Sequence, residues 1–150
     1  MLKDARFNNA VKEPVDLSLV SLDAKIVRLS DYRGKIVFLN FWASWCAPCR
    51  IEMPAMQKLY DNFKDQNFAM IAVSLKEDVQ QVRSYIKKNK LTFTTLVDPK
   101  GKAAYQFRVI SIPTTIIINK QGIIIGHAIG PRDWESKPSF TLFKKLIDMK

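Results

Sequence analysis

Two nearly continuous apolar runs stand out along the chain, Ile36-Val-Phe-Leu-Asn-Phe-Trp42 and Phe68-Ala-Met-Ile-Ala-Val73. Both are rich in strand formers, and strands buried on both faces read this way. Each is followed by a stretch of helical period. Ile51, Ala55, Leu59 and Phe63, with Met56 and Tyr60, share one helical face, and Pro54 within that run is expected to kink the helix. Val79, Val82 and Ile86 mark a second amphipathic helix. Glu77 and Asp78 open it, where acidic groups suit the positive end of the helix dipole.

Shorter elements surround this centre. Val15 to Leu19 alternates at period two, and Ile26 to Leu29 can pair with it as a hairpin across Ser21 to Ala24. Ser30 to Gly34 reads as a capped turn. Phe93 to Val97 is expected as a third strand, stopped at Asp98-Pro-Lys-Gly101, with a short helix from Ala103 to Phe107. Thr114 to Ile118 and Gly122 to Gly126 are β-branched runs joined as a hairpin, and Phe140, Phe143, Leu146 and Ile147 give a closing amphipathic helix. Strand–helix–strand units followed by an antiparallel hairpin and a helix predict an α/β fold, a central mixed sheet flanked by helices on both faces.

Composition narrows the functional classes. A chain of 150 residues fits one domain, 1–150, with residues 1–14 expected as a flexible N-terminal segment. Hydrophobic residues at 47% and charged residues at 25% exclude a disordered chain. No run approaches the roughly 18–20 apolar residues that cross a bilayer. The start, Met1 to Phe7, alternates charged and apolar residues and has no signal-peptide core, so the reading is a cytosolic protein or one whose leader has been removed. The net charge of +10 comes from lysines scattered along the chain. No Gly-rich phosphate loop, zinc-finger spacing or stacking motif accompanies them, so they are read as surface charge and no nucleic-acid partner is expected.

Two cysteines are too few for a disulfide scaffold or a four-ligand zinc site, and the one histidine, His127, lies far along the chain. It is read as a strand or edge residue without a catalytic part. Covalent haem attachment needs a histidine after the second cysteine, and Arg50 stands there. What remains is the pair itself. Cys46-Ala-Pro-Cys49 falls where the first buried strand stops and the helix begins. Thiols three residues apart at a first helical turn can close and open a disulfide with little rearrangement. The unpaired N–H groups and partial positive charge there favour the thiolate of the first. Cys46 is therefore expected as the exposed nucleophile and Cys49 as the less exposed resolving thiol. Pro48 suits the first helical position, having no N–H to lose.

Phe41-Trp-Ala-Ser-Trp-Cys-Ala-Pro-Cys-Arg50 resembles the thioredoxin active-site stretch, and Ile112-Pro113-Thr114 resembles that family's cis-proline loop. Leu39 to Trp42 and Glu52-Met-Pro54 are similar to the flanks of the TlpA/ResA-like thiol–disulfide oxidoreductases, the type that includes proteins of cytochrome c maturation. Val15 to Gly34 looks like their N-terminal β-hairpin extension, and about 68 to 101 like their strand–helix insertion. The resemblance implies a thioredoxin fold, a Cys46–Cys49 redox dithiol and no metal or organic cofactor. It implies a protein disulfide as substrate, met in the periplasm or another extracytoplasmic compartment, and a membrane thiol-transfer protein as electron donor. A membrane anchor outside this chain and a monomeric state fit the same expectation.

The resemblance also places individual residues. Thioredoxin carries a buried Asp where Asn40 stands here, and asparagine cannot take a proton. Glu52, three residues after Cys49, holds the position implicated in the ResA-like branch, against the plain reading of a first-turn acid on the helix dipole. A cis bond at Pro113 would put the backbone of Ile112 beside Cys46, where an extended substrate segment can add as a strand. Trp45 is read as a rim residue that touches a partner, Trp42 as packing, and Trp134 as packing between the last hairpin and helix. Two alternatives stay open at this point: a dithiol oxidase running in the opposite direction, and a metal-delivery or binding module that uses the two thiolates.

Overall fold

The computed structural model describes residues 13–150. The flexible segment expected over 1–14 lies almost wholly outside them. Seven strands form one mixed sheet: β1 Ser18–Ser21, β2 Ile26–Arg28, β3 Ile36–Trp42, β4 Phe68–Leu75, β5 Thr94–Asp98, β6 Thr114–Ile118 and β7 Ile124–Ile129. They lie in the order β2-β1-β5-β4-β3-β6-β7. Four helices accompany them: α1 Ala47–Phe63, α2 Val79–Lys88, α3 Lys102–Gln106 and α4 Lys137–Asp148.

The two continuous apolar runs become the centre, β3 and β4, paired in parallel from Ile36 opposite Phe68 to Trp42 opposite Ser74. Because side chains alternate along a strand, β3 feeds two cores. Phe38 and Trp42 join Met53, Met56, Phe63, Phe68 and Phe143 on the α1 and α4 side. Val37, Leu39 and Phe41 join Ile71, Phe107 and Ile116 on the other. Asn40 falls in the row between Phe38 and Trp42, so a fully buried amide faces α1 from an otherwise apolar strand.

Several boundaries differ from the sequence reading, for local reasons. The first strand runs Ser18–Ser21 instead of Val15–Leu19. Upstream of it, Val15 N–H donates to Gly122 O (2.8 Å) and Leu17 N–H to Asp16 Oδ1 (2.9 Å), which ties that stretch to the far hairpin and to a turn. The hairpin partner is as expected, with Leu19 opposite Val27, and β1 also pairs with β5, joining the extension to the sheet. Ser30 to Gly34 overlaps a 3-10 turn over Leu29–Tyr32, and Gly34 takes φ +90°, where a side chain is disfavoured. The last strand starts at Ile124, not Gly122, and continues to Ile129. The Asn119 carboxamide accepts N–H bonds from Gln121 and Ile123, so the turn is longer, and a register shift at Ile117/Ile118 absorbs it. His127 sits on this edge strand, buried.

Ile51 overturns its assignment. It is 75% exposed, while Cys49, Glu52, Met53, Met56, Leu59 and Phe63 form the buried face of α1. The face is set by Cys49, and a residue two positions on points about 200° around the helix. Pro54 lies within α1, and the helix continues past it to Phe63.

Candidate active site

β3 delivers the chain to Ala43-Ser44-Trp45, and α1 begins at Ala47 with Pro48 in its first turn, one position later than expected. Cys46 is the N-cap. Its Sγ accepts the N–H of Cys49 at 3.3 Å, so the sulfur occupies the place a serine or aspartate oxygen takes at other helix starts. The two cysteines are joined in a disulfide with their Cα atoms 5.3 Å apart. Cys46 is 7% exposed and Cys49 fully enclosed. Cys46 is the less deeply buried of the two, yet in the disulfide form it is buried and not exposed as expected.

Two sets of contacts hold the approach loop. Cys46 N–H donates to Ala43 O (3.1 Å), and the Arg50 guanidinium donates to Ser44 O (3.0 Å). From β4, the Ser74 hydroxyl donates to Glu77 Oε1 (2.9 Å). The same oxygen accepts Ser44 N–H (2.8 Å), and Glu77 Oε2 bonds the Ser44 hydroxyl. Glu77 is buried and braces this loop; the helix-dipole role read for it belongs to Asp78, whose carboxylate accepts Gln80 N–H at 2.8 Å as the N-cap of α2. No spacing rule links Glu77 to Ser44, so only the tertiary fold reveals the contact.

The opposite wall is the loop before β6. The Ile112–Pro113 bond is cis, and Ile112 O lies 3.9 Å from Cys46 Sγ. Thr114 Oγ1 donates to Ser111 O (2.7 Å) and fixes the turn. Cys46, Ile112 and Pro113 thus come together, with Trp45 beside them 62% exposed. Trp42 is fully buried, its ring 5.3 Å from that of Tyr85, as packing requires.

Glu52 lies one helical turn beyond Cys49 and is 2% exposed. Asn40 Nδ2 donates to its Oε1 (2.9 Å) and to Thr115 Oγ1 (2.9 Å), and Asn40 Oδ1 has no partner among the described residues. Oε2 accepts Arg132 N–H (3.1 Å) and Trp134 Nε1–H (3.0 Å). Burial raises the affinity of this carboxyl for a proton above that of an ordinary glutamate. The Arg132 N–H, the two side-chain donors and the Arg132 charge pull the other way, and burial prevails. A buried carboxyl one helical turn from Cys49, its proton affinity raised by burial, is the kind of group that serves in proton transfer. The Trp134 contact was invisible in the sequence, where a single large aromatic in the polar stretch Gly130 to Lys137 was the one signal.

Among the described residues, no group of three or more His, Cys, Asp and Glu side chains is placed to hold a metal, and no helix is long and apolar enough to cross a membrane.

The AhpC/TSA family model matches residues 11–127. ResA of Bacillus thuringiensis subsp. konkukian, named a thiol-disulfide oxidoreductase, is 36% identical over 124 residues, 83% of this chain and 72% of that protein. The thioredoxin-like protein YneN of Bacillus subtilis is 45% identical over 118 residues, 77% of this chain and 68% of its own length. Among solved structures, StoA from Bacillus subtilis superposes with a TM-score of 0.73 at 30% identity, over 87% of this chain and 99% of the other. A thiol:disulfide interchange protein of the thioredoxin family from Chlorobium tepidum superposes with a TM-score of 0.78 at 27% identity, over 93% and 99%. The chain belongs to the AhpC/TSA family, and within it this protein is a thiol–disulfide oxidoreductase of thioredoxin fold.

Proposed function

We propose that the Cys46–Cys49 pair is the redox centre and works as a reductant of protein disulfides outside the cytoplasm. The observation that supports Cys46–Cys49 as the redox centre is the placement of Cys46: its sulfur caps α1 and faces the carbonyl of Ile112 in the cis-proline loop. In the dithiol form the Cys46 thiolate attacks one sulfur of a substrate disulfide, forming a mixed disulfide and expelling the other sulfur as a thiolate. Cys49 gives its proton to Glu52 and attacks Cys46 Sγ. The mixed disulfide breaks, the second substrate sulfur leaves and takes up a proton, and the Cys46–Cys49 disulfide remains. Two electrons have passed to the substrate.

Trp45, Ile112 and Pro113 form the surface that receives the substrate segment, Trp45 by exposed ring and Ile112 by backbone pairing along an extended strand. The chain acts as one domain and a monomer, free of metal and organic cofactor, and is recharged by a membrane thiol-transfer protein. Apocytochrome c, whose cysteines must be reduced before haem attachment, is a substrate of fitting chemistry.

The test is a Cys49→Ser variant. It keeps the nucleophile and removes the resolving thiol, so reduced protein mixed with a protein disulfide should accumulate a covalent adduct through Cys46, released by added thiol. Absence of any adduct by non-reducing electrophoresis and mass spectrometry defeats the mechanism.

A further inference from the structure

We propose that Trp134 is a positioning residue for Glu52: its indole N–H, with the backbone N–H of Arg132, holds one carboxylate oxygen in place and so fixes the pH at which Glu52 accepts a proton. The proposal rests on the reading of Glu52 as proton acceptor and adds the residue that tunes it.

The indole is not placed by packing alone. Trp134 meets Phe38 of β3 edge-on, ring centres 4.8 Å apart, and Phe143 of α4 at 6.2 Å, and it is 8% exposed. Those two contacts are ring packing and require no polar atom. The remaining polar atom, Nε1, reaches Glu52 Oε2, and a phenyl ring filling the same space would leave that oxygen with Arg132 N–H alone. A buried indole N–H without a partner is itself costly, so each group satisfies the other.

The loop that carries Trp134 is fastened at both ends. Gly130 N–H donates to Pro113 O (2.8 Å), and Glu135 pairs with Lys58 of α1 (3.1 Å), while the Arg132 guanidinium turns back to Ile129 O (3.1 Å) and Pro131 O (3.0 Å). The segment therefore connects the cis-proline wall, through Gly130 N–H, to the carboxyl of Glu52, through Arg132 N–H and Trp134 Nε1–H.

The groups around Glu52 are few in kind. β3 presents the neutral Asn40 and β6 the neutral Thr115 behind it, while the titratable His127 of β7 and Asp133 line one cavity with Arg132 and Trp134. α4 presents Phe143 to Trp134. The 130s loop brings the Arg132 charge, and α1 brings the Cys49 thiol once the disulfide is reduced. A donor to a carboxylate favours its ionised form, so removing Trp134 Nε1–H moves Glu52 further toward the protonated state.

The experiment follows the Glu52 carboxyl directly, by carbon NMR titration of the oxidised full chain, with Glu52→Gln identifying the signal. Two variants are compared with the native protein: Trp134→Phe, and 3-benzothienylalanine at position 134, which keeps the indole shape and replaces N–H by sulfur. The expected result is a Glu52 midpoint about one pH unit higher in both, a tenfold gain in proton affinity. An unmoved midpoint in the isosteric variant overturns the proposal even if Trp134→Phe unfolds. The acidic limb of the disulfide-reduction rate against pH, measured on the same proteins, tests the underlying reading separately. A midpoint that rises while the limb stays put refutes Glu52 as the acceptor and leaves the positioning intact.

Discussion

A Cys46→Ser variant is expected to lose disulfide reduction to background, a fall on the order of a thousandfold or more, because the attacking group is a thiolate and a serine hydroxyl does not ionise or attack sulfur under the same conditions. The loss should not come from unfolding. Serine is among the best N-cap residues, and its Oγ can accept the Cys49 N–H that Cys46 Sγ now accepts at 3.3 Å. The variant lacks the disulfide, so its thermal stability belongs beside that of the reduced native protein. Turnover retained within tenfold, with the fold intact by circular dichroism, would remove Cys46 from the nucleophile role.

Glu52→Gln is the second large effect. If Glu52 takes the Cys49 proton, the resolving step should slow by about 10²-fold or more, the usual contribution of a positioned base. The mixed disulfide should then persist longer, and the acidic limb of the rate profile should vanish. The substitution is sterically mild. Asn40 Nδ2 now points at Oε1 and its Oδ1 is without a partner among the described residues, so rotating the Asn40 amide offers an acceptor to a glutamine NH2.

The same substitution has a stability signature whose sign follows from burial. The folded-state pKa of Glu52 lies above its ordinary value of 4.5, so the folded protein binds this proton more tightly than the unfolded chain. Its contribution is fully present below the ordinary value and is lost as pH rises through the folded value. Denaturant unfolding of the oxidised native protein should therefore show a loss of stability with rising pH across that window, and Glu52→Gln should flatten it. A native-like slope in the variant would assign the pH dependence to another group.

The sequence made the scaffold legible wherever burial was two-sided. The runs Ile36 to Trp42 and Phe68 to Val73 sit at the centre of the sheet because no other place hides both faces of a strand. The dithiol at the strand-to-helix junction was readable from contiguous residues, whereas the cis bond at Ile112–Pro113 was legible only through the family resemblance, since most X–Pro bonds are trans. What could not be read was contact between distant polar groups. Asn40 was seen as a missing acid, and the structure shows it as a donor to both Glu52 and Thr115. Glu77 was assigned to a helix terminus by its neighbours in sequence, whereas its carboxyl group lies against Ser44, 33 residues away. Ile51 failed for a different reason: a period of 3.6 tolerates more than one phase in a short run, and the buried Cys49 selects the phase that turns Ile51 outward.

Direction is the central claim, and the redox equilibrium of the Cys46–Cys49 pair against graded thiol buffers under metal-free conditions measures it most directly. A reversible potential near the roughly −270 mV of thioredoxin, or lower, is the predicted result for a reductant fed by a strong donor. A value near the roughly −120 mV of a dedicated oxidant would contradict it and make the protein a donor of disulfides.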